Sequence, residues 1–595
     1  MKDLAYINKF FYKYRFRFIP GVIFVILSNV FGVLPAQVVR VAFDLVTENI
    51  SIYRLFNGFD RQAVVYEIFG SSLLFFGLLV LVLALLRGVF LFFMRQTIIL
   101  MSRHIEFDMK NEIYQHYQQL SMAFYRRNNT GDLMNRVTED VSRVRMYAGP
   151  AIMYTINTVV LFILIIIAMF SVNAKLAVYS LLPLPALVLI IYYVTTIINH
   201  RSEKIQQQLS SMSSFVQETF SGIRVIKAYV REKDIQEKFK TESANYKSSA
   251  MGLVNVQALY FPAMLLLIGL STIITVYIGG KEVMNGTITA GNIAEFIVYV
   301  NQLTFPVTSL GWVTTLIQRA AASQKRINEF LNTPSDITTS GKNVTVKGSI
   351  SFKNVSFTYP ETGINALKNI SFDVAPGQFL AILGKTGSGK STLANLLMRM
   401  YDTQEGEILV DNTNLKDLNL ANYRHQLGFV PQEVFLFSDT IANNISFGLD
   451  EASDEQVEMA AKNAAVYTNI MGFEKGFQTL IGERGVTLSG GQKQRVSIAR
   501  AIIKEPQILI FDDCLSAVDT RTEETILSNL SRIMRGKTTV LISHRVSTIK
   551  NADQIIVLDG GRIIESGNHK TLMKTRGAYY KLYEKQLLEE EENAE

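Results

Sequence analysis

Cysteine is all but missing from this chain: its 595 residues hold a single one, Cys514. One thiol excludes a disulfide within the chain and any zinc centre built from several cysteines. Charge is sparse as well. Asp, Glu, Lys and Arg make up 19% of residues against 48% hydrophobic ones, and mean hydropathy is +0.19, more apolar than a soluble enzyme. No cleavable signal peptide is apparent either, because "MKDLAYINKFFYKYRFRF" is basic and aromatic and leads into a long apolar helix. The length excludes one ordinary domain, so two large units or more are expected. The net charge of +7 would suit a nucleic-acid binder. In a chain this apolar it is better read as Lys and Arg gathered in cytoplasmic loops, and no nucleic-acid partner is expected.

What is present is first a run of apolar segments. Six are long enough to cross a hydrocarbon core, which takes about 20 apolar residues per helix: Phe18–Val46, Ser71–Met94, Ala151–Val172, Leu176–Ile198, Ala258–Gly280 and Gly291–Ile317. The connection after the second carries Arg103, Lys110, Arg126, Arg127, Arg136, Arg143 and Arg145. That after the fourth is equally basic, from Arg201 to Lys247. The opposite connections, "SVNA" and "GGKEVMNGTITA", are short and nearly uncharged. The positive-inside rule puts the N-terminus and both long connections in the cytoplasm. Both have helical periodicity, with bends expected near "RRNNTGD" and "TFSGIRVIKAY". Arg40, Asp44, Arg87 and Glu295 lie in or near apolar spans, where charge is expensive. Two readings stand for them: they line a substrate pathway, or they pair and snorkel at helix ends.

After Phe330 the composition changes. "LNTPSDITTSGKNVTVKGS" reads as a linker, and from Ile350 short β-rich runs alternate with amphipathic helical stretches, an α/β pattern. The expected division is a membrane domain over 1–335, a linker over 336–349, an α/β domain over 350–583 and a solvated acidic tail over 584–595.

The sharpest motif is "GKTGSGKST", Gly384 to Thr392, between the apolar strand "FLAIL" and the helix "STLANLLMRM". That is the setting of a phosphate loop. Gly384, Gly387 and Gly389 let the backbone N–H groups of Lys385, Thr386, Ser388 and their neighbours curl around phosphates. Lys390 brings charge to the β- and γ-phosphates, Ser391 offers a hydroxyl to Mg²⁺, and with Thr392 it opens a helix whose dipole favours an anion. Farther on, "ILIFDD" is a buried strand that carries the metal-binding carboxylate Asp512, with Asp513 next to it.

Around these stand "FTYP" with Tyr359, "VPQ" with Gln432, "LSGGQ" (Leu488, Ser489, Gly490, Gly491, Gln492), "SAVD" (Ser516, Ala517, Val518, Asp519) and "LISHR" with His544. In this order they resemble the ATP-binding cassette family, over residues 350 to 583. "FYRRNNTGDLMNRVTEDV" and "ETFSGIRVIKAYVRE" look like the two cytoplasmic loops of its six-helix exporters. The resemblance, to bacterial half-transporters of the multidrug and lipid-flippase type, covers nearly the whole chain. It implies an all-α six-helix transmembrane domain followed by an α/β P-loop ATPase, with ATP and Mg²⁺ as cofactors, in the bacterial inner membrane. It also implies roles. Tyr359 stacks on adenine, and Asp512, Gln432 and Ser391 hold Mg²⁺. Gln432 touches the metal or the attacking water and moves with the membrane domain, and His544 contacts the γ-phosphate. The helix start at Leu488–Gln492 closes over the nucleotide of the opposite subunit, with Ser516–Asp519 as the loop beside it.

One phosphate loop and one signature cannot complete a composite ATP site, so two copies, or one copy and a related partner, are required. The expected function is an ATP-driven exporter that moves an amphipathic lipid, drug or peptide across the bilayer. A membrane-anchored regulatory ATPase is the alternative, and six spans with two long basic loops weigh against it. Where the family usually places a glutamate base, this chain has Asp513, one methylene shorter. A homodimer with two slow sites and a heterodimer in which the partner supplies the fast site both fit that departure.

Overall fold

The structure is a computed structural model that describes residues 2–55, 58, 61–337, 341–482, 488–514 and 520–592. The chain divides into two compact units, Met1–Tyr117 with Gly131–Thr333 and Gln118–Thr130 with Pro334–Glu595.

The first unit is helical. Among the described residues, five helical stretches are long and apolar enough to cross a membrane: Arg15–Leu55, Gln62–Gln119, Thr130–Val172, Ala174–Ser221 and Glu232–Met284. The helix Arg61–Gln119 has 59 residues. At 1.5 Å per residue it is about 90 Å long, far beyond the roughly 30 Å of a hydrocarbon core. The apolar spans therefore continue as polar helices, as their periodicity suggests. The expected sixth span, Gly291–Ile317, is helical within Ala290–Leu331 but is not among the five. Polar residues lower its hydropathy, and the bundle accommodates them. Glu295 is fully buried and pairs with Arg40 at 3.5 Å, while Tyr299 donates to it at 2.9 Å. Gln302 donates to the Gly32 carbonyl at 3.0 Å. Asp44 accepts from the Gly291 N–H and the Thr289 hydroxyl, both at 2.7 Å, and so caps this helix. Arg87 lies against Gly32, where an added Cβ would meet its guanidinium Nε at 3.1 Å. The two long connections turn at short helices, Met122–Arg127, which belongs to the second unit, and Ile223–Ala228.

The second unit holds two sheets. One is antiparallel, in the order β2 (Asn365–Val374), β1 (Ile350–Thr358), β4 (Glu405–Val410), β5 (Thr413–Asn414). The other runs β10 (Arg562–Gly567), β9 (Gln554–Asp559), β3 (Phe379–Gly384), β8 (Thr538–Ser543), β7 (Ile508–Asp512), β6 (Leu427–Val430). All its pairings are parallel except β10 with β9. A parallel sheet covered on both faces needs apolar strands, and "FLAILG", "ILIFD" and "TTVLIS" are buried almost throughout. Two apolar cores flank it. One packs under the helix Gly490–Ile502, with Val496, Ile498 and Phe511. The other lies under β1 and β2 and takes in Ala123 of the segment 118–130. Beyond the undescribed 338–340, the linker region is fastened down: Val344 and Val346 N–H groups donate to Asn422 and Gln426 at 2.9 and 2.8 Å. As far as Glu592 the acidic end is part of the last helix, Ala578–Glu592.

Candidate functional site

In an open parallel sheet, ligands bind beyond the carboxyl ends of the strands. Here β3 ends at Gly384, β7 at Asp512 and β8 just before His544. In-register pairing of Leu383 with Ser543 and Asp512 with Ile542 brings the three ends level. A cavity of about 660 Å³ opens over them. Its lining brings together Tyr359, Thr386, Gly387, Gly389, Lys390, Ser391, Thr392, Gln432, Asp512, Asp513 and His544. Gly384, Lys385 and Ser388 shape the turn beneath.

The glycine pattern has a steric cause at two positions. A Cβ on Gly384 would lie 2.4 Å from the Leu558 carbonyl oxygen. Gly389 has φ 102°, and a Cβ there would lie 2.5 Å from the Ala366 carbonyl oxygen. Gly389 is also the N-cap of the helix Lys390–Leu397, whose free N–H groups face the cavity as an anion site. Lys390 is buried. Its Nζ donates to the carbonyls of Gly384 and Lys385 at 2.8 and 2.9 Å, which leaves one N–H for a ligand. Burial pulls its pKa down, and the nearby Asp513 and Asp512 oppose the shift. The Ser388 hydroxyl is buried at the same turn, with no hydrogen-bond partner among the described residues.

Ser391 Oγ donates to Asp512 Oδ1 at 3.0 Å. Burial raises the Asp512 pKa, and Asp513 adds to the rise, while the Ser391 hydrogen bond and Lys390 oppose it. A hydroxyl and a desolvated carboxylate in contact form a hard-oxygen pair of the kind Mg²⁺ takes beside substrate phosphates. The residues present therefore fit that ion. Gln432 Nε2 is 3.5 Å from Asp513 Oδ2. Asp513 itself has φ 45°, and its N–H bonds the Ile542 carbonyl at 2.9 Å. The His544 pKa is lowered by burial and by the Lys390 charge, against Asp513 and a hydrogen bond to the Gly384 backbone.

Tyr359 closes the far end. Its hydroxyl is 3.0 Å from Thr392 Oγ1, and its ring meets Phe357 and Tyr401 edge-on at 5.0 and 5.4 Å. Sequence reasoning missed the neighbours of this ring. Arg126 lies 5.4 Å from the ring centroid and 3.8 Å from Glu361 Oε1, which also accepts from Tyr401 at 3.0 Å. Arg126 stood out in the sequence only as one loop charge among several.

The signature residues stand apart. Ser489 caps the helix Gly490–Ile502, in a capping box with Gln492: Ser489 N–H donates to Gln492 Oε1 at 2.9 Å. Leu488 is buried. None of Leu488, Ser489, Gly490, Gly491 or Gln492 is among the residues lining the cavity. Ser516, Ala517, Val518 and Asp519 lie outside the described residues.

Comparison with known proteins agrees with this geometry. Residues 18–307 match the family model for the ABC transporter transmembrane region, and residues 367–516 match that for the ABC transporter. The multidrug resistance-like ATP-binding protein MdlA of Escherichia coli (strain K12) is 33% identical over 594 residues, covering 99% of this chain and 97% of the relative. An ATP-dependent lipid A-core flippase of Syntrophus aciditrophicus (strain SB) is 33% identical over 516 residues, 86% of each chain. A solved bacterial Atm1-family ABC exporter with ATP bound superposes with a TM-score of 0.78 at 27% identity, covering 96% of this chain and 98% of that one. The chain belongs to the ABC transporter family, as a half-size exporter in which ATP hydrolysis is coupled to transport.

Proposed function

We propose that two such half-transporters, two copies or this chain with a related one, move an amphipathic lipid or drug out of the cytoplasmic leaflet of a bacterial inner membrane. The observation that carries the dimer is the separation of the signature from the cavity. Phosphate loop, Asp512, Asp513, Gln432 and His544 share one pocket, whereas the helix that starts at Ser489 has none of the signature residues in that lining and serves the partner's nucleotide. Two lines support the amphipathic substrate: a multidrug-resistance-like protein and a lipid A-core flippase are both relatives at 33% identity.

In this reading Tyr359 stacks on the adenine and Lys390 pairs with the β- and γ-phosphates. The N–H groups from Lys385 to Thr392 bond the phosphate oxygens. Ser391, Asp512 and Gln432 hold Mg²⁺, which when bound neutralises developing charge on the phosphates. His544 contacts the γ-phosphate. Asp513 takes the proton of the attacking water, and its short reach makes this chain's own site slow. Closure of two ATPase domains over two nucleotides is passed to the membrane helices by the loops at Met122–Arg127 and Ile223–Ala228, and hydrolysis releases it.

Lys390→Ala tests the assignment. In lipid nanodiscs the purified protein is expected to hydrolyse ATP at a rate that changes with added lipids or cationic drugs, and the variant to lose that turnover. Near-normal ATPase activity in Lys390→Ala would sink the reading.

A further inference from the structure

The C-terminal helix Ala578–Glu592 reaches the edge of the site through the side chain of Gln586. The Gln586 amide grips the backbone on both sides of Arg545: Nε2 donates to the His544 carbonyl at 2.6 Å, and Oε1 accepts from the Val546 N–H at 2.8 Å. These two backbone groups lie just past the end of β8, where neighbouring strands no longer supply partners. The turn is otherwise tied by Ser543, whose hydroxyl accepts from the Arg545 N–H at 3.0 Å. Gln586 thus stands in for a missing strand, with one donor and one acceptor in a planar group that matches two peptide units.

The helix that carries Gln586 is itself anchored. Glu565, on β10, accepts from the N–H groups of Ala578 and Tyr579 at the start of the helix, the latter at 3.0 Å. Tyr579 is fully buried, and its hydroxyl is 2.7 Å from His569 Nδ1. Leu582 and Tyr583 pack on the same core. Gln586 follows Tyr579 by seven residues and Leu582 by four, so all three share one face. Its position is therefore fixed by buried contacts to β10 and the core.

We propose that Gln586 is a positioning residue for ATP hydrolysis: through it the C-terminal helix fixes the backbone at His544, so that the imidazole keeps its aim into the nucleotide cavity. The proposal rests on the reading of His544 as a γ-phosphate contact. It gives the acidic C-terminal segment a task, since the helix must extend at least to residue 586 for the turn to be held. An error of about 1 Å at a reacting group can cost a hundredfold in rate. A loosened turn samples the aimed position part of the time, and a loss of about tenfold is expected.

The test uses the full chain in lipid nanodiscs. Gln586→Leu keeps the volume and removes both hydrogen bonds. It should lower kcat for ATP about tenfold and leave KM within about twofold. Amide hydrogen exchange should accelerate at Val546, a readout independent of turnover. Gln586→Glu keeps an acceptor for the Val546 N–H but not the donor to His544, so it should restore amide protection and only part of kcat. Wild-type kcat or unchanged exchange at Val546 in Gln586→Leu overturns the proposal. So does a joint loss of kcat, nucleotide affinity and melting temperature, which would make the helix a structural brace only. His544→Ala separates the two layers. If that variant turns over ATP normally, the role of His544 fails and Gln586 has nothing to position. If it is crippled while Gln586→Leu is not, the proposal alone fails.

Discussion

Replacing Asp513 with Glu lengthens the carboxylate at the end of β7 by one methylene. The Asp513 N–H is tied to the Ile542 carbonyl at 2.9 Å, and Asp512 pairs in register with Ile542. The backbone is thus set by the sheet, and side-chain length decides where the oxygens lie. The extra methylene moves them on the order of 1 Å, a distance that can be worth about a hundredfold in rate, or about 2.7 kcal/mol of barrier. Gln432, 3.5 Å from Asp513 Oδ2, must yield to the longer side chain, so a gain of tenfold to a hundredfold in turnover is expected. A cost opposes it. Asp513 has φ 45°, in the left-handed region that Asp enters more readily than Glu. Roughly 1 kcal/mol of added strain should lower the melting temperature by about 2–4 °C. Phosphate release at saturating ATP and thermal unfolding of the same nanodisc sample measure both effects. A wild-type chain that alone hydrolyses ATP briskly, with no gain in Asp513→Glu, would refute the weakened-base reasoning.

Two further substitutions separate nucleotide binding from coupling. Gly389→Ala forces a Cβ to within 2.5 Å of the Ala366 carbonyl oxygen at φ 102°. It should weaken binding of a fluorescent ATP analogue by at least about tenfold, given a left-handed penalty of about 1–2 kcal/mol before the clash is relieved; unchanged affinity would refute the cradle. Gly222→Trp should leave nucleotide affinity intact while uncoupling hydrolysis from transport. Among the described residues a Cβ on Gly222 meets only the Glu218 carbonyl, at 3.3 Å, and φ there is −89°, so the helix end need give by only a few tenths of an ångström. Loss of ATP binding with transport preserved would contradict a coupling role.

The parts of this protein that the sequence made legible are those where local chemistry and local structure coincide. "GKTGSGKST" needs its glycines because backbone from β2 and β9 presses on the turn at Gly389 and Gly384, and a steric demand of that kind leaves a spacing that can be read. The apolar runs of β3, β7 and β8 were equally plain, because a strand buried on both faces cannot hold polar residues. The membrane spans were legible for the same reason, except where polar side chains are satisfied by another helix. The helix Ala290–Leu331 falls short in apolarity since Glu295 and Gln302 find partners on Arg15–Leu55, and no count along one segment anticipates a partner 255 residues away.

What could not be read is contact between segments distant in the chain and free of periodicity. Arg126 looked like one cytoplasmic charge in a series, and charge pattern gives orientation but no partner. In the fold it lies over Tyr359 and beside Glu361, because Ala123, one turn earlier on the same short helix, is buried in the core under β1 and β2. A small residue that sinks into a core thus decides where a long cation three residues on can reach. The same logic governs the end of the chain. "EKQLLEEEE" has the composition of a solvated tail, but the buried Tyr579 seven residues before Gln586 orients the helix and turns one amide onto the His544 backbone. In both places one buried anchor sets the rotation of a helix, and an unremarkable polar residue on the anchored face thereby reaches the nucleotide site.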